Sequence, residues 1–253
     1  MRYLMRNRLF TFGCSFTEYR WPTWANILGQ NFDYFENWGR PGGGNTFILN
    51  SLMECINRNT IQANDTVIIM WTSIGREDRW IKGRGWVTVG SIYNQTEYDK
   101  NFVAKWADPL GYLIRDLATI SATKKVLESL GCTWHFLSLG PLEYYDDSKN
   151  FKHDFSINED IKELYKDELA VINPSVYDVV FGSNWGSRNS YKPLVNDDHP
   201  TTKEHLMYLN KVLPEYNINN NTLELIEIAE AKILSDEPIG WQGWNYSKPK
   251  IRF

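Results

Sequence analysis

A serine near one end of the chain and a histidine near the other have the types and settings that nucleophilic catalysis requires. Ser15 closely follows an apolar run at residues 9–12, and His199 lies beside Asp197 and Asp198. A serine hydroxyl is a weak nucleophile unless a base takes its proton and a third group orients that base. Because a fold can bring distant residues together, these side chains form a candidate Ser–His–Asp site.

The pattern of apolar runs and turn residues predicts elements that would position this site. Strands are expected at residues 8–12, 32–38, 67–71, 132–139 and 176–181, and helices at 21–28, 46–57, 110–130, 157–171, 203–213 and 223–234. Strands that alternate with helices favour an α/β fold, with three α/β/α layers around a mostly parallel sheet. Ligand sites in such sheets form where the strands end. Ser15, the glycine-rich loop after residue 38 and the loop after Trp71 should therefore meet at one edge.

The chain has no linker rich in Pro, Gly and Ser that would divide it, so we expect one principal domain. That domain is predicted over residues 1–215, with residues 80–103 as a flap or hairpin insertion. Residues 216–253 are expected to form a C-terminal helix and an aromatic tail packed on the same domain.

The composition limits the classes of partner that this chain can have. Its net charge of -4 gives no basic footprint for nucleic acid. No apolar run reaches the ~20 residues of a membrane span, and no signal peptide is evident. Three cysteines do not make a disulfide framework. We therefore expect no nucleic-acid or membrane partner and cytoplasmic synthesis. The composition favours a bacterial or viral source, with a place in the virion if viral.

Three short segments resemble sequence blocks of the SGNH/GDSL hydrolase family. Residues 13–17 (Gly-Cys-Ser-Phe-Thr) resemble the block Gly-Asp-Ser-x-Thr, with Cys14 in place of the Asp. Residues 37–42 (Asn-Trp-Gly-Arg-Pro-Gly) are similar to Asn-x-Gly-x-x-Gly, and residues 197–200 (Asp-Asp-His-Pro) resemble Asp-x-x-His-Pro. The resemblance extends over residues 9–209 and identifies a divergent member. It implies a flavodoxin-like sheet in the three-layer fold.

The resemblance also implies a role for each matching residue. Ser15 would attack an acyl carbon, and His199 would take its proton. Asp197 or Asp198 would hold the imidazole. The backbone N–H groups of Ser15 and Gly42 would form an oxyanion hole. No cofactor and no metal are implied.

Two departures from the family pattern alter this expectation. Ser73 stands where the family has an Asn that donates to the oxyanion, and Asn196 stands where it has the acid, so a Ser–His dyad is the alternative to a triad. Arg76 could supply positive charge to the oxyanion or to an anionic substrate. Asn45 is expected to cap a helix or to touch substrate, and Trp71 to contact substrate.

The leading hypothesis is a serine esterase that removes a small acyl group, such as acetyl, from a carbohydrate or similar ester. The aromatic residues near the predicted site loops would suit a sugar surface: Trp21, Trp38, Trp71, Trp80 and Trp86. One alternative is a glycan-binding or assembly protein with the same fold and impaired catalysis. Another is an acyl or sulfuryl transferase. The oligomeric state cannot be predicted from the sequence.

Overall fold

The described part of the chain, residues 7–93, 97–142, 157–182 and 197–251 of this computed structural model, is organised around a parallel sheet. Its strands are β1 (Arg8–Phe12), β2 (Tyr34–Asn37), β3 (Thr66–Trp71), β4 (Arg76–Ile81), β5 (Gly85–Ser91) and β6 (Thr133–Ser138). Its helices are α1 (Trp24–Gly29), α2 (Asn45–Asn59), α3 (Lys100–Trp106), α4 (Pro109–Leu130), α5 (Ile157–Leu164), α6 (Lys166–Leu169), α7 (Thr202–Val212) and α8 (Asn220–Leu234).

The principal sheet has the strand order β2-β1-β3-β6, and every pair of neighbours is parallel. β2 lies on one side of β1 and β3 lies on the other, so the direction in which strands are added to the sheet reverses at β1. Such a reversal leaves a crevice beyond the carboxyl end of the first strand. Ser15 follows β1, so the topology places it at this crevice.

Alternating side chains of the strands build two cores, one on each face of the sheet. Leu9 and Ile68 pack with α1, α7 and α8. Phe10 and Ile69 point to the opposite face and pack with α2 and α4. Because successive strand residues point to opposite faces, both faces are apolar and both are covered by helices. The predicted three-layer α/β/α fold with a parallel sheet is confirmed.

Two predicted elements differ in the structure. The expected strand at residues 176–181 is wrong, because Tyr177–Phe181 form a π-helical turn. The strand-like contact in this region comes earlier, where Ile172 pairs with Phe136 beside β6. The helix expected over 157–171 is divided at Tyr165 into α5 and α6.

Strands β4 and β5 form an antiparallel hairpin outside the principal sheet. The hairpin packs on the loop that follows β2, where the N–H of Gly90 donates to the carbonyl of Gly42 at 3.0 Å. At the C-terminal end of the described chain, α8 packs against α7 and Trp244 joins the core on that face. The division of the chain at residue 215 stays a prediction.

Candidate active site

Ser15 and His199 are in hydrogen-bond contact. Ser15 Oγ lies 2.9 Å from Nε2 of His199, and Nδ1 of the same ring lies 2.7 Å from Oδ1 of Asp197. Ser15 is partly exposed at the carboxyl end of β1, and the His199 side chain is 25% exposed. A hydroxyl, an imidazole and a carboxylate in this order form a relay that can activate the hydroxyl.

Asp197 is the carboxylate that contacts the imidazole, whereas the Asp198 residue is exposed. Oδ1 of Asp197 also accepts the backbone N–H of His199 at 2.9 Å, so the turn itself fixes the carboxylate beside the ring. Asn196, at the position of the family acid, lies outside the described residues.

Tyr19 contacts both the histidine and the aspartate of this relay. Its ring stacks on the imidazole of His199 with the centroids 3.9 Å apart and the planes 17° apart. Its hydroxyl donates to Oδ2 of Asp197 at 2.7 Å. Arg20 donates to the same oxygen at 3.2 Å. Both oxygens of Asp197 are therefore held.

The turn that carries His199 is fastened to the loop before α1. The indole N–H of Trp21 donates to the carbonyl of Pro200 at 2.8 Å, and the hydroxyl of Thr202 donates to the carbonyl of Pro22 at 3.0 Å. Thr201 caps α7 through a capping box with Glu204, which fixes the beginning of the helix directly after the turn. These contacts connect the N-terminal and C-terminal parts of the site.

Burial favours the neutral form of His199, and hydrogen bonds favour the ionised form of Asp197. Burial lowers the pKa of His199 below its ordinary 6.5, and the hydrogen bond and charge of Asp197 oppose this shift. Burial raises the pKa of Asp197, but the hydrogen bonds from Tyr19 and from the backbone and ring of His199 outweigh it, so the pKa is lowered overall. At neutral pH His199 can accept a proton and Asp197 carries the negative charge that holds it.

The turn that presents Ser15 is tight. A Cβ atom at Gly13 would lie 2.1 Å from Oγ1 of Thr17 and 3.1 Å from the carbonyl of Met70, so the turn has no room for a side chain there. The N–H groups of Thr17 and Glu18 both donate to the carbonyl of Cys14 at 3.0 Å. Among the described residues, the N–H of Ser15 has no acceptor, which leaves it available for a ligand.

The loop of Gly42 lies against the Ser15 loop, because the N–H of Arg40 donates to the carbonyl of Gly13 at 3.0 Å. Gly42 has φ = 75°, and a Cβ atom there would lie 2.4 Å from the carbonyl oxygen of Thr88 on β5. Only glycine fits this position without strain. The N–H of Gly42 also has no acceptor within the described part of the chain.

Asp78 of β4 holds the end of this loop at the beginning of α2, a role that the sequence did not indicate. Its carboxylate accepts the N–H of Gly44 at 2.9 Å and the N–H of Phe47 at 2.9 Å, at the beginning of α2. The N-cap position is Gly44, and a side chain supplied by the hairpin performs the capping. The prediction that Asn45 caps this helix is therefore wrong.

Asn45 is fully buried and its amide is occupied inside the protein. Nδ2 donates to the carbonyl of Thr72 at 3.1 Å and to Oδ2 of Asp116 at 2.8 Å, while Oδ1 accepts the N–H of Thr72 at 2.9 Å. Asn45 thus joins α2 to the loop after β3 and to α4. The expected contact of Asn45 with substrate is not available, because its hydrogen-bonding groups are already used.

Arg76 lies beside the glycine loop and donates from Nη1 to the carbonyl of Gly43 at 2.8 Å. Its positive charge contributes to lowering the pKa of His199. Its Nε atom is buried and has no acceptor in the described residues. Ser73 is partly exposed after β3, and its hydroxyl makes no hydrogen bond within that same part of the chain.

The aromatic side chains expected to form a sugar surface divide into two groups. Trp21, Trp38 and Trp71 are at most 2% exposed and belong to the cores, so the expected contact of Trp71 with substrate is wrong. Trp71 packs edge-on against Phe136. Trp80 is 53% exposed and, like the half-buried Trp86, lies on the hairpin. Of these five tryptophans, Trp80 and Trp86 are the two with exposed surface available to a ligand.

Two residues of the site escaped sequence analysis for different reasons. Tyr19 lies four positions after Ser15, and nothing in that spacing indicates that its ring stacks on His199. Asp78 lies in a polar, irregular-looking segment whose strand character depends on pairing with β5.

No group of three His, Cys, Asp or Glu side chains that could hold a metal ion occurs within residues 7–93, 97–142, 157–182 and 197–251. None of the helices in those ranges has the length and apolar character of a membrane span.

Comparison with known proteins gives structural likenesses at low sequence identity. No protein-family model and no curated protein matches the sequence. One similar solved structure is a GDSL-like lipase from Bacteroides thetaiotaomicron VPI-5482, which is 14% identical, with 88% of this chain and 89% of that chain covered and a TM-score of 0.44.

Two other solved structures are similar to the same degree. A member of the lipolytic protein G-D-S-L family from Veillonella parvula DSM 2008 is 14% identical, with 82% of this chain and 96% of that chain covered and a TM-score of 0.45. The acetylxylan esterase Axe2 from Geobacillus stearothermophilus is 12% identical, with 84% and 95% covered and a TM-score of 0.42. Likenesses this distant carry no weight for the reaction.

Proposed function

We propose that this chain is a serine esterase, a divergent member of the SGNH/GDSL hydrolases, that removes a small acyl group such as acetyl from a carbohydrate or similar ester. The contact that carries the proposal is the 2.9 Å distance between Ser15 Oγ and His199 Nε2, continued by the 2.7 Å distance from Nδ1 to Asp197. A turn serine that served only to satisfy backbone groups would not need a histidine held on its other side by a carboxylate.

In the first half of the proposed reaction, Ser15 Oγ attacks the acyl carbon while Nε2 of His199 takes the hydroxyl proton. Asp197 stabilises the imidazolium that forms. The tetrahedral intermediate then collapses, the bond to the alcohol breaks, and the imidazolium gives its proton to the leaving oxygen. The product of this half is an acyl ester of Ser15 and a free alcohol.

In the second half, a water molecule takes the place of the alcohol. Nε2 of His199 accepts a proton from the water as its oxygen attacks the acyl carbon of the Ser15 ester. Collapse of the second tetrahedral intermediate releases the acid, and the proton returns from His199 to Ser15 Oγ. The enzyme is restored without a cofactor.

The unoccupied N–H groups of Ser15 and Gly42 support an oxyanion hole for both intermediates. Loss of one such donor typically costs ~3 kcal/mol of transition-state stabilisation. Ser73 is the candidate third donor, and Arg76 could add positive charge because it lies beside the same loop. The contacts of Asp78 and of Gly90 keep this loop in place.

The proposal is tested with purified protein, p-nitrophenyl acetate and an acetylated oligosaccharide. Wild-type protein should release p-nitrophenol and acetate and should be labelled by a fluorophosphonate probe. Ser15→Ala should abolish both the hydrolysis and the labelling. His199→Ala should reduce hydrolysis by ~10⁴-fold or more. Ser129→Ala, at the exposed end of α4, is the matched control and should behave as wild type.

Three outcomes would oppose the proposal in different ways. Hydrolysis that persists at the wild-type rate in Ser15→Ala would exclude Ser15 as the nucleophile. Glycan binding without hydrolysis or labelling would favour the alternative of a binding or assembly protein. Product formation that requires an added acceptor alcohol would indicate acyl transfer rather than hydrolysis.

A further inference from the structure

A cleft of about 720 Å³ opens between the loop after β2, the β4–β5 hairpin and the C-terminal tail. We call it the basic cleft. Its lining comes from residues 39–41, from residues 84 and 86–88, and from residues 248–251. Three segments far apart in the sequence build it, and its volume is within the range typical of small-molecule sites.

The lining of the basic cleft contains four cationic side chains and no acidic one. Two of the cations are paired with carboxylates that lie outside the lining. Arg84 contacts Glu97 at 2.7 Å, and Lys248 contacts Glu18. Arg40 and Lys250 have no carboxylate partner among the described residues. The cleft and its neighbours therefore keep an excess of positive charge, on a chain whose net charge is -4.

The basic cleft shares a wall with the candidate active site. Pro41 accepts a hydrogen bond at its carbonyl from Thr88 Oγ1 at 3.0 Å, and the next residue, Gly42, accepts one from Gly90. The N–H of Arg40 is bound to Gly13, two residues before Ser15. A ligand in the cleft would therefore lie against the loop that carries the candidate oxyanion donor.

Two side chains of the cleft are already held in place. The guanidinium of Arg40 lies 5.7 Å from the ring centroid of Phe47 and donates to the carbonyl of Trp86 at 2.7 Å. The indole of Trp86 packs edge-on against Phe47, with centroids 5.7 Å apart. An anchored aromatic ring beside anchored positive charge suits a ligand that presents both a sugar face and an anion.

We propose that the basic cleft binds the alcohol part of the ester substrate and that this part is an anionic saccharide. The inference rests on the proposed esterase function for its place in the reaction. Arg40 and Lys250 contact the anionic groups, while Trp86 contributes an apolar wall. The acyl group extends from the cleft along the Gly42 loop toward Ser15.

The test compares two acetylated oligosaccharides of equal length, an oligogalacturonate and a neutral cello-oligosaccharide. The measured quantity is the ratio of kcat/KM for the acidic substrate to that for the neutral one. Lys250→Glu should lower this ratio about tenfold at low salt, since it replaces an attraction with a repulsion. Addition of ~0.5 M salt should remove most of the difference by screening. Lys211→Glu, an equal charge change at the end of α7, should leave the ratio unchanged.

Direct binding separates this inference from the proposed function. Unacetylated oligogalacturonate and a sulfated glucan oligomer are titrated into Ser15→Ala protein and into the same protein with Lys250→Glu added. If Lys250→Glu weakens binding, the result supports the cleft even if the wild type hydrolyses no ester. The ligand that binds more tightly shows whether the cleft prefers a carboxylate or a sulfate. Equal ratios and equal binding with and without Lys250→Glu overturn the inference, whereas hydrolysis of p-nitrophenyl acetate would still support the esterase.

Discussion

Tyr19 lies flat on His199, with the ring centroids 3.9 Å apart and the ring planes 17° apart. The same tyrosine donates its hydroxyl to Asp197 at 2.7 Å. Burial raises the pKa of this phenol, so it stays protonated and able to donate. One side chain thus restrains the plane of the candidate base and the second oxygen of its carboxylate partner.

Replacement of Tyr19 should separate these two contacts. Tyr19→Phe removes one hydrogen bond to Asp197, worth about 1 kcal/mol, and should lower kcat/KM about fivefold. Tyr19→Leu removes the stacked ring as well and should lower kcat/KM about 50-fold. Removal of the ring also admits water to His199, so its pKa should rise. Hydrolysis of p-nitrophenyl acetate against pH measures both effects.

Tyr216→Phe is the matched control for the hydroxyl, because Tyr216 contacts a different histidine, His135, at 3.3 Å. It should leave kcat/KM and its pH dependence unchanged. If Tyr19→Phe and Tyr19→Leu lowered thermal stability without moving the pH profile, Tyr19 would be a packing residue only.

The pH dependence of kcat/KM should follow the ionisation of His199. The base must be neutral to accept a proton, so activity falls as the pH drops through its pKa, which burial holds below 6.5. The positive charge of Arg76 lowers this pKa and the negative charge of Asp198 raises it. Arg76→Met should therefore move the acidic limb to higher pH, and Asp198→Asn should move it to lower pH. Shifts in the same direction for both variants would contradict this assignment.

Loss of Asp78 should weaken both the fold and the glycine loop. Asp78→Ala leaves the N–H groups of Gly44 and Phe47 without their acceptor, at a cost of about 2 kcal/mol in the free energy of unfolding. Because the glycine loop is adjacent, kcat should fall as well. Asp108→Ala removes the cap of α4, which accepts from Gly111, and should cost about 1 kcal/mol without changing kcat. Urea unfolding and steady-state kinetics on both variants test the distinction.

His205 of α7 should make the protein sensitive to acid. It is fully buried, neither ring nitrogen has a partner among the described residues, and burial lowers its pKa to about 3. Below pH 6.5 the His205 imidazole is protonated in the unfolded chain but stays neutral in the folded chain, so the free energy of unfolding decreases as the pH falls. At pH 4 the loss should be about 3 kcal/mol relative to neutral pH. His205→Leu should flatten the decline in unfolding free energy between pH 6.5 and 4. An unchanged decline would show that other groups cause it.

The sequence predicted the parts of this protein that depend on local pattern. The apolar runs of β1 and β3 identified the sheet, and the Gly-rich loop and the segment at residues 197–200 indicated the candidate site. Burial on both faces makes such strands nearly continuous in apolar residues, so they are readily recognised. The confirmed architecture follows from these signals.

The remaining features depend on three-dimensional contacts that the sequence does not encode locally. Asp197 and Asp198 are adjacent and chemically identical, and only the geometry of the turn determines which one meets Nδ1. Asn is a residue type that often caps helices, yet at the beginning of α2 the carboxylate of Asp78 from the hairpin accepts the free N–H groups instead of Asn45. Trp71 ends a strand at the site edge, but its side chain is buried because helices cover both faces of the sheet.

The hydrogen bond between Ser15 and His199 joins residues 184 positions apart. During synthesis, every strand of the principal sheet leaves the ribosome before the histidine does. Contacts so distant in sequence form late, because the chain between them must first be ordered. A nascent or truncated chain that lacks His199 would have Ser15 but no base to activate it. Under the proposed function, ester hydrolysis would therefore show that the segment of His199 has packed against the segment of Ser15.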